Sequence, residues 1–353
     1  MLFKPYISLI IPTHNREKYL KNLLDNILTL KDQTKFEIVV VDNNSNDGTV
    51  ELVKNYSDKV RYVFEKNTSF TKARKTGAEN AKGEIIIYLD DDVILESGCI
   101  DEAYRIFKEK EDCAVVGGKI LPFFEQEPPE WVLDLQKSFN GLSLYDLGDE
   151  LKIVDAIPGP FMAIRKKVFE EIGGFPPDTV GVETNSAKKT FKKLYIGPGD
   201  YGFCILCRER GYKIYYSPKI KLQHVIPPFR LTKEFWISRM VGEGHCAVLF
   251  RINEPSFKRD KFSEFRHNLF LFSKYIKHFF SAKLKRIKNE KIPLIPDEIW
   301  FEYYWSFLKM KKTLIRNKGL AEYIWQLGYQ GIADDNFDSV LSKLPKDYQK
   351  LAL

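Results

Sequence analysis

The sequence predicts an α/β fold with a mostly parallel sheet, followed by a helical C-terminal extension. Three observations carry the prediction. Over roughly residues 7–90, short runs that are apolar throughout alternate with segments of helical spacing. Strands apolar at every position are buried on both faces, and the helices between them supply the crossovers of a parallel sheet. Beyond about residue 250 the strand signals give way to amphipathic helical patterns. Finally, 353 residues with 44% hydrophobic and 29% charged content suit a folded chain of roughly two domains at ~150 residues each.

ISLIIP at 7–12 is rich in β-branched residues and stopped by proline, so it predicts a buried strand. Over 16–30, Tyr19, Leu20, Leu23, Leu24, Ile27 and Leu30 recur at helical spacing. EIVVVD at 37–42 predicts a second strand, and NNSNDGT after it is a loop by composition. A helix over 49–56 leads to a third strand, VRYVFE at 60–65. A helix over 71–82 stops at Gly83, before a fourth strand, EIIIYLD at 84–90. In 114–124 a strand is expected to pass into a loop, and Pro122, Pro128 and Pro129 prevent a long helix there. Residues 154–176 hold a strand and a short helix closed by Gly173 and Gly174. A helix over 199–212 is closed by Gly211, and KIYYSP and KIKLQHV within 213–225 predict two short strands.

The composition shift sets the expected division: one α/β domain at 1–250, with halves at about 1–120 and 121–250, then an extension at 251–353. Between 258 and 291, eleven Lys/Arg outnumber three Asp/Glu. There Phe262, Phe265, Leu269, Phe272, Ile276 and Phe279 step by three and four, an amphipathic helix with an aromatic stripe. A second helix is expected at 295–316 and short pieces at 319–353. The stripe has two physical fates. It packs on the chain's own helices, where Trp300, Tyr303, Tyr304, Trp305 and Phe307 would receive it, or it contacts an anionic membrane surface.

No apolar run approaches the ~20 residues of a membrane span. The apolar N-terminal stretch ends in Pro12 and polar residues, so no signal peptide is expected. Five cysteines, an odd number, fit free thiols in a reducing compartment, hence the cytoplasm. Cys204 and Cys207 form a lone CxxC and read as two buried thiols on one helix face, not as a zinc or redox site. Lys+Arg 55 against Asp+Glu 48 gives a net charge of +7. The basic segment stands beside no recognised nucleic-acid module, so nucleic acid is not an expected partner.

The strongest chemical signal is YLDDDV, with Asp90, Asp91 and Asp92 ending a buried strand. Adjacent carboxylates repel unless a cation neutralises them, and hard divalent cations take oxygen ligands. A solvated acidic turn is the equally weighted structural alternative. Asp42 ends the second strand, where a carboxylate faces the crevice in which nucleotides bind in α/β sheets. An Asx turn or helix cap around Asn43, Asn44 and Asp47 also fits that loop. No GxGxxG follows the first strand and no GxxxxGK[ST] occurs, so the usual phosphate cradles are missing.

IPTHNREKYLKNLLDNIL, EIVVVDNNSNDGT, TKARKTGAENAKGEIIIYLDDD, PGPFMAIRKKVFEEIGGF and GDYGFCILCRERGYKIYYSP follow one another in the order and spacing of family-2 glycosyltransferases. The resemblance covers about residues 5–250. It implies a Rossmann-like nucleotide-binding domain of the A-type glycosyltransferase fold, with a nucleotide-sugar half before an acceptor half. It implies an inverting transferase of the hexosyltransferase type, a nucleotide-diphosphate sugar donor, usually UDP-linked, and a divalent metal, Mn2+ or Mg2+. By the same resemblance Pro12, Thr13, Asn15 and Arg16 lie around base and ribose, and Asp42 lies on the base. Arg74 faces base or pyrophosphate, and Asp90 and Asp91 lie toward ribose and phosphate. Asp92 is a metal ligand, Gly159 is in the pocket wall, and His224 approaches the metal or diphosphate. Asp200 matches the general base of a Glu-Asp pair, but Gly199 stands where the family has Glu. A helix cap at Asp200 is compatible with that role.

The motif of processive synthases, QxxRW, is absent. The expected reaction is therefore addition of one sugar at a time to a saccharide or lipid-linked acceptor, at the inner face of the membrane if the basic helix binds it. A sugar-phosphate nucleotidyltransferase and a non-catalytic partner in glycan assembly are the alternatives.

Overall fold

The computed structural model describes residues 6–176, 179–182, 192–195, 199–249, 295–316 and part of 269–281. The chain divides into two compact units. One comprises 1–126, 142–176 and 199–227; the other comprises 127–141, 177–198 and 228–353.

The first unit starts with β1 (Ile7–Thr13), α1 (Glu17–Thr29), β2 (Phe36–Asp42), α2 (Thr49–Lys54), β3 (Val60–Phe64), α3 (Phe70–Asn80) and β4 (Ile85–Leu89). These are the strands and helices the periodicity predicts, within one to two residues at most ends. Then follow β5 (Val93–Leu95), α4 (Cys99–Glu109) and β6 (Cys113–Phe124). α4 is absent from the expected elements, although Ile100, Ala103, Ile106 and Phe107 recur at helical spacing; they are buried together with Cys99 and Glu102. In the second unit, α5 (Glu130–Ser138) begins immediately after Pro129. The first unit resumes with β7 (Lys152–Ile153), β8 (Phe161–Arg165) and α6 (Lys166–Ile172). The second unit holds β9 (Thr179–Val182) and β10 (Lys192–Tyr195), an antiparallel pair. The first unit ends with α7 (Gly199–Glu209) and β11 (Lys213–Ile226). A short 3-10 turn, α8 (Lys233–Leu249), helical residues within 269–281 and α9 (Ile295–Arg316) complete the described part of the second unit.

The main sheet runs β3-β2-β1-β4-β8-β6-β11-β5, with β7 on β11. β3, β2, β1, β4, β6 and β11 run one way; β8, β5 and β7 run against them. The core is built on residues such as Ile7, Leu9, Ile11, Val40, Ile87 and Leu89, all 0% exposed. The order places the first crossovers on one side of β1 and β4 on the other. The strand order reverses between β1 and β4, and the crevice beyond their C-terminal ends is where α/β sheets bind ligands.

Two expectations about strands need correction. The loop expected within 114–124 is strand to Phe124. Pro122 is tolerated because β8 pairs with β6 only at Val115 and Val116, so at Pro122 only β11 flanks the strand, and no ladder bond is lost on the other side. The two strands expected in 213–225 are one, β11, whose register against β6 shifts between Ser217 and Lys221, around Pro218.

In the second unit, Trp236 is 0% exposed and packs edge-on against Trp131 and Phe139. The helix expected at 295–316 is present. Of the expected aromatic stripe, Phe262, Phe265 and Phe279 lie outside the described residues, as does 319–353. His278 stacks on Trp300 and Tyr304 and pairs with Asp297 at 3.0 Å, so this stretch packs on α9 through that edge. Leu269, Phe270, Phe272 and Phe280 are half-exposed, 50–56%.

Candidate active site at the β1–β4 switch point

The site lies wholly in the first unit. Thr13 ends β1 and its hydroxyl donates to Asp91 Oδ2 at 2.7 Å. Arg16, just before α1, donates through Nη1 to Asp91 Oδ1 at 3.1 Å and to Asp92 Oδ2 at 2.8 Å. Beyond β4, Asp91 and Asp92 are 5% and 2% exposed, while Asp90 is half-buried. The solvated-turn reading of this triplet therefore fails for two of its three members. Burial holds the Asp91 carboxyl above the ordinary carboxylate range, against the pull of Arg16.

His224 comes from β11, where its register neighbours are Pro122 and Val93. Its Nδ1 lies 2.9 Å from the Leu142 carbonyl. A carbonyl only accepts, so Nδ1 carries the proton and Nε2 faces Asp92 Oδ1 at 3.2 Å. A backbone carbonyl fixing the remote nitrogen is the usual support of a metal-binding imidazole. Asp90, Asp92 and His224 each offer a ligand atom, all within 4.8 Å of one another. Two carboxylate oxygens and one imidazole nitrogen suit Mn2+ or Mg2+, with positions left for substrate oxygens. These residues fit the metal that the resemblance implies.

Asp42 is fully buried. Its Oδ1 accepts from the Ser45 N–H at 2.9 Å and its Oδ2 from the Tyr62 hydroxyl at 2.7 Å. Tyr62 was missed by the sequence reading; its register place on β3 becomes visible only once β2 and β3 are paired. Pro12 is buried within β1, opposite Val41. Asn15 has φ 54 and ties the loop after β1 to the loop after β2: its N–H donates to Ser45 Oγ and its Oδ1 accepts from Asn46. The Asx-turn reading of that loop also holds, since Asp47 accepts from the Thr49 and Glu17 N–H groups.

Arg74 from α3 is 4% exposed, its guanidinium carbon 4.1, 4.9 and 5.5 Å from the ring centres of Phe70, Phe175 and Tyr88. Its Nη2 is 3.6 Å from Asp90 Oδ1. That burial rules out a solvated helix charge. Gly159 is where Arg74 and Asp200 converge. A Cβ there would sit 2.7 Å from Arg74 Nη2 and 3.3 Å from Asp200 Oδ2, so a side chain would displace the guanidinium. Asp200 lies in the first turn of α7 and its Oδ1 accepts from the Tyr201 N–H at 2.8 Å, leaving Oδ2 toward Gly159. Cys204 and Cys207, one and two turns on, are buried free thiols, and burial pushes the Cys204 thiol up to about 12.

The fold thus gathers Thr13, Arg16, Asp90, Asp91, Asp92 and His224 into one connected cluster. Arg74, Gly159 and Asp200 adjoin it through Asp90. Asp42 sits beside it, in register with Thr13. Pro12 lies within β1, and Asn15 links the loops after β1 and β2.

A family model, glycosyl transferase family 2, matches residues 8–173. The chain is 21% identical to the glucosyl-dolichyl phosphate glucuronosyltransferase of Haloferax volcanii, over 72% of this chain and 80% of that one. It is 29% identical to the GalNAc(5)-diNAcBac-PP-undecaprenol beta-1,3-glucosyltransferase of Campylobacter jejuni, over 62% of this chain and 68% of that one. It is 34% identical to the poly(ribitol-phosphate) beta-N-acetylglucosaminyltransferase TarS of Staphylococcus aureus, over 79% of this chain and 46% of that one. The chain therefore spans most of the first two relatives and under half of the third.

Proposed function

The chain belongs to family 2 of the glycosyl transferases, and from that premise we propose the reaction it performs. It moves one sugar from a nucleoside-diphosphate sugar, a UDP-sugar by preference, to a hydroxyl of a saccharide or lipid-linked saccharide, inverting the anomeric carbon with the help of a divalent metal. The observation that carries this reading is the meeting of Asp90, Asp92 and His224 within 4.8 Å beside the β1–β4 switch point. The names of two relatives support the acceptor class, a glucosyl-dolichyl phosphate and a PP-undecaprenol saccharide, and a third names a poly(ribitol-phosphate).

Asp90, Asp92 and His224 would hold the metal, Mn2+ or Mg2+, which would supply positive charge against the departing diphosphate. Thr13 and Arg16 keep Asp91 and Asp92 oriented. The buried Asp42 carboxylate, held by Tyr62 and Ser45, suits an N–H donor on the base. Arg74 adds positive charge beside Asp90. Asp200 takes the proton of the acceptor hydroxyl as the new bond forms, a contribution of ~10²–10⁴ in rate. Single displacement needs no second carboxylate as nucleophile, and one base suffices where Gly199 precedes it.

Contact with an anionic bilayer belongs to the same proposal, at the cytoplasmic face where a lipid-linked acceptor would be met. Its support is the half-exposed Leu269, Phe270, Phe272 and Phe280 inside a segment with eleven basic and three acidic residues.

A screen of UDP-, GDP- and dTDP-sugars for metal-dependent hydrolysis, followed by NMR of the anomer formed, tests the reading. One class of donor is expected to turn over, with inversion. Release of pyrophosphate from a nucleoside triphosphate and a sugar phosphate would instead favour a nucleotidyltransferase.

A further inference from the structure

We propose that Phe175 is a positioning residue that couples the donor-side guanidinium of Arg74 to the helix carrying Asp200; this rests on the reading of Asp200 as the base. Arg74 is almost fully buried, and among the described residues its Nε has no hydrogen-bond partner. Among the described residues its ion pair is with Asp90, 3.6 Å long. Aromatic faces, not a hydrogen-bonded fork, therefore define where this guanidinium sits.

Of the three rings around Arg74, Phe175 also reaches α7. Its centroid is 5.2 Å from Phe203, 5.4 Å from Phe169 and 5.1 Å from Tyr88. Phe203 follows Asp200 by three residues, so the two share a helix face. The chain delivers Phe175 there by a reversal after α6: Gly173 and Gly174 both have φ of 91°, and the second packs against the Phe169 ring. One ring thus packs on the cation beside Asp90 and, through Phe203, on the helix that presents Asp200. Gly159 leaves open the space on which Arg74 and Asp200 converge. If the ring is lost, Arg74 and α7 shift independently. A fixed acceptor hydroxyl then misses its base, while water, which is not held in place, adjusts.

The test uses the full chain with Phe175→Leu and the ring-preserving Phe175→Tyr, measuring nucleotide affinity, transfer and donor hydrolysis. Phe175→Leu is expected to lower transfer kcat by about tenfold or more, since small misplacements of reacting groups are costly. The ratio of hydrolysis to transfer should rise, nucleotide Kd and acceptor KM should stay within about twofold, and Phe175→Tyr should restore the ratio. Phe203→Leu, which breaks the same contact from the helix side, should reproduce the shift if Phe175→Leu folds poorly. An unchanged ratio in the folded variants, or equal losses in nucleotide affinity and kcat, overturns the coupling alone. Near-normal transfer by Asp200→Asn in the same assay overturns the base assignment and the coupling with it.

Discussion

His224 Nε2 lies 3.2 Å from Asp92 Oδ1, and the two side chains are 2% and 1% exposed. A carboxylate this buried is costly unless it is paired. Here the Arg16 guanidinium pairs Oδ2 at 2.8 Å, and Oδ1 faces the ring nitrogen of His224 across a gap that a cation would bridge. Asp92 and His224, with Asp90, form the ligand set proposed for the metal.

Asp92→Ala removes an acceptor from the end of a loop and leaves the sheet intact. It should abolish metal-dependent turnover with an unchanged far-UV spectrum. Turnover at the wild-type rate, insensitive to chelator, would show that the carboxylate holds no metal.

Asp200→Asn keeps the size of the side chain and the oxygen that accepts from the Tyr201 N–H. It cannot take a proton. Nucleotide affinity should be retained while transfer falls by ~10²-fold or more, the scale of general-base catalysis. A parallel loss of nucleotide affinity would point to a binding role.

Asp91 gives a pH prediction. Its folded-state pKa is raised, chiefly by burial. A carboxyl raised in the folded state destabilises the fold as pH climbs above its unfolded value, and the penalty stops growing above the folded value. Without added metal, Asp91→Asn should therefore raise Tm at neutral pH and lose that gain in acid, read by thermal melts across the range. A Tm difference independent of pH would contradict the assignment.

Much of this was legible in the sequence because it is local. Apolar runs gave β1, β2 and β4, and a carboxylate at a strand's end gave Asp42 and Asp90 to Asp92. The pairings across the chain were not legible. Tyr62 reaches Asp42 only through the β2–β3 register, and Phe175 meets Arg74 only after the reversal at Gly173 and Gly174. The expected break in β11 failed for a related reason, since a strand can absorb Pro218 by shifting its register.

The half-exposed aromatic residues of 269–281 predict salt-sensitive flotation with anionic liposomes and none with neutral ones. A basic residue near an anionic surface contributes ~1 kcal/mol, so a few suffice for reversible attachment. Phe270→Asp should release the protein. Failure to float with anionic vesicles at low salt would remove the membrane contact.

The most direct test of the proposed metal-dependent donor site is calorimetric titration of UDP into the full chain, with Mn2+ and again with chelator. Saturable binding with Mn2+, lost with chelator and lost in Asp92→Ala, is the predicted result. Equal affinity with and without the metal, or no binding of UDP, GDP or dTDP under either condition, would contradict it.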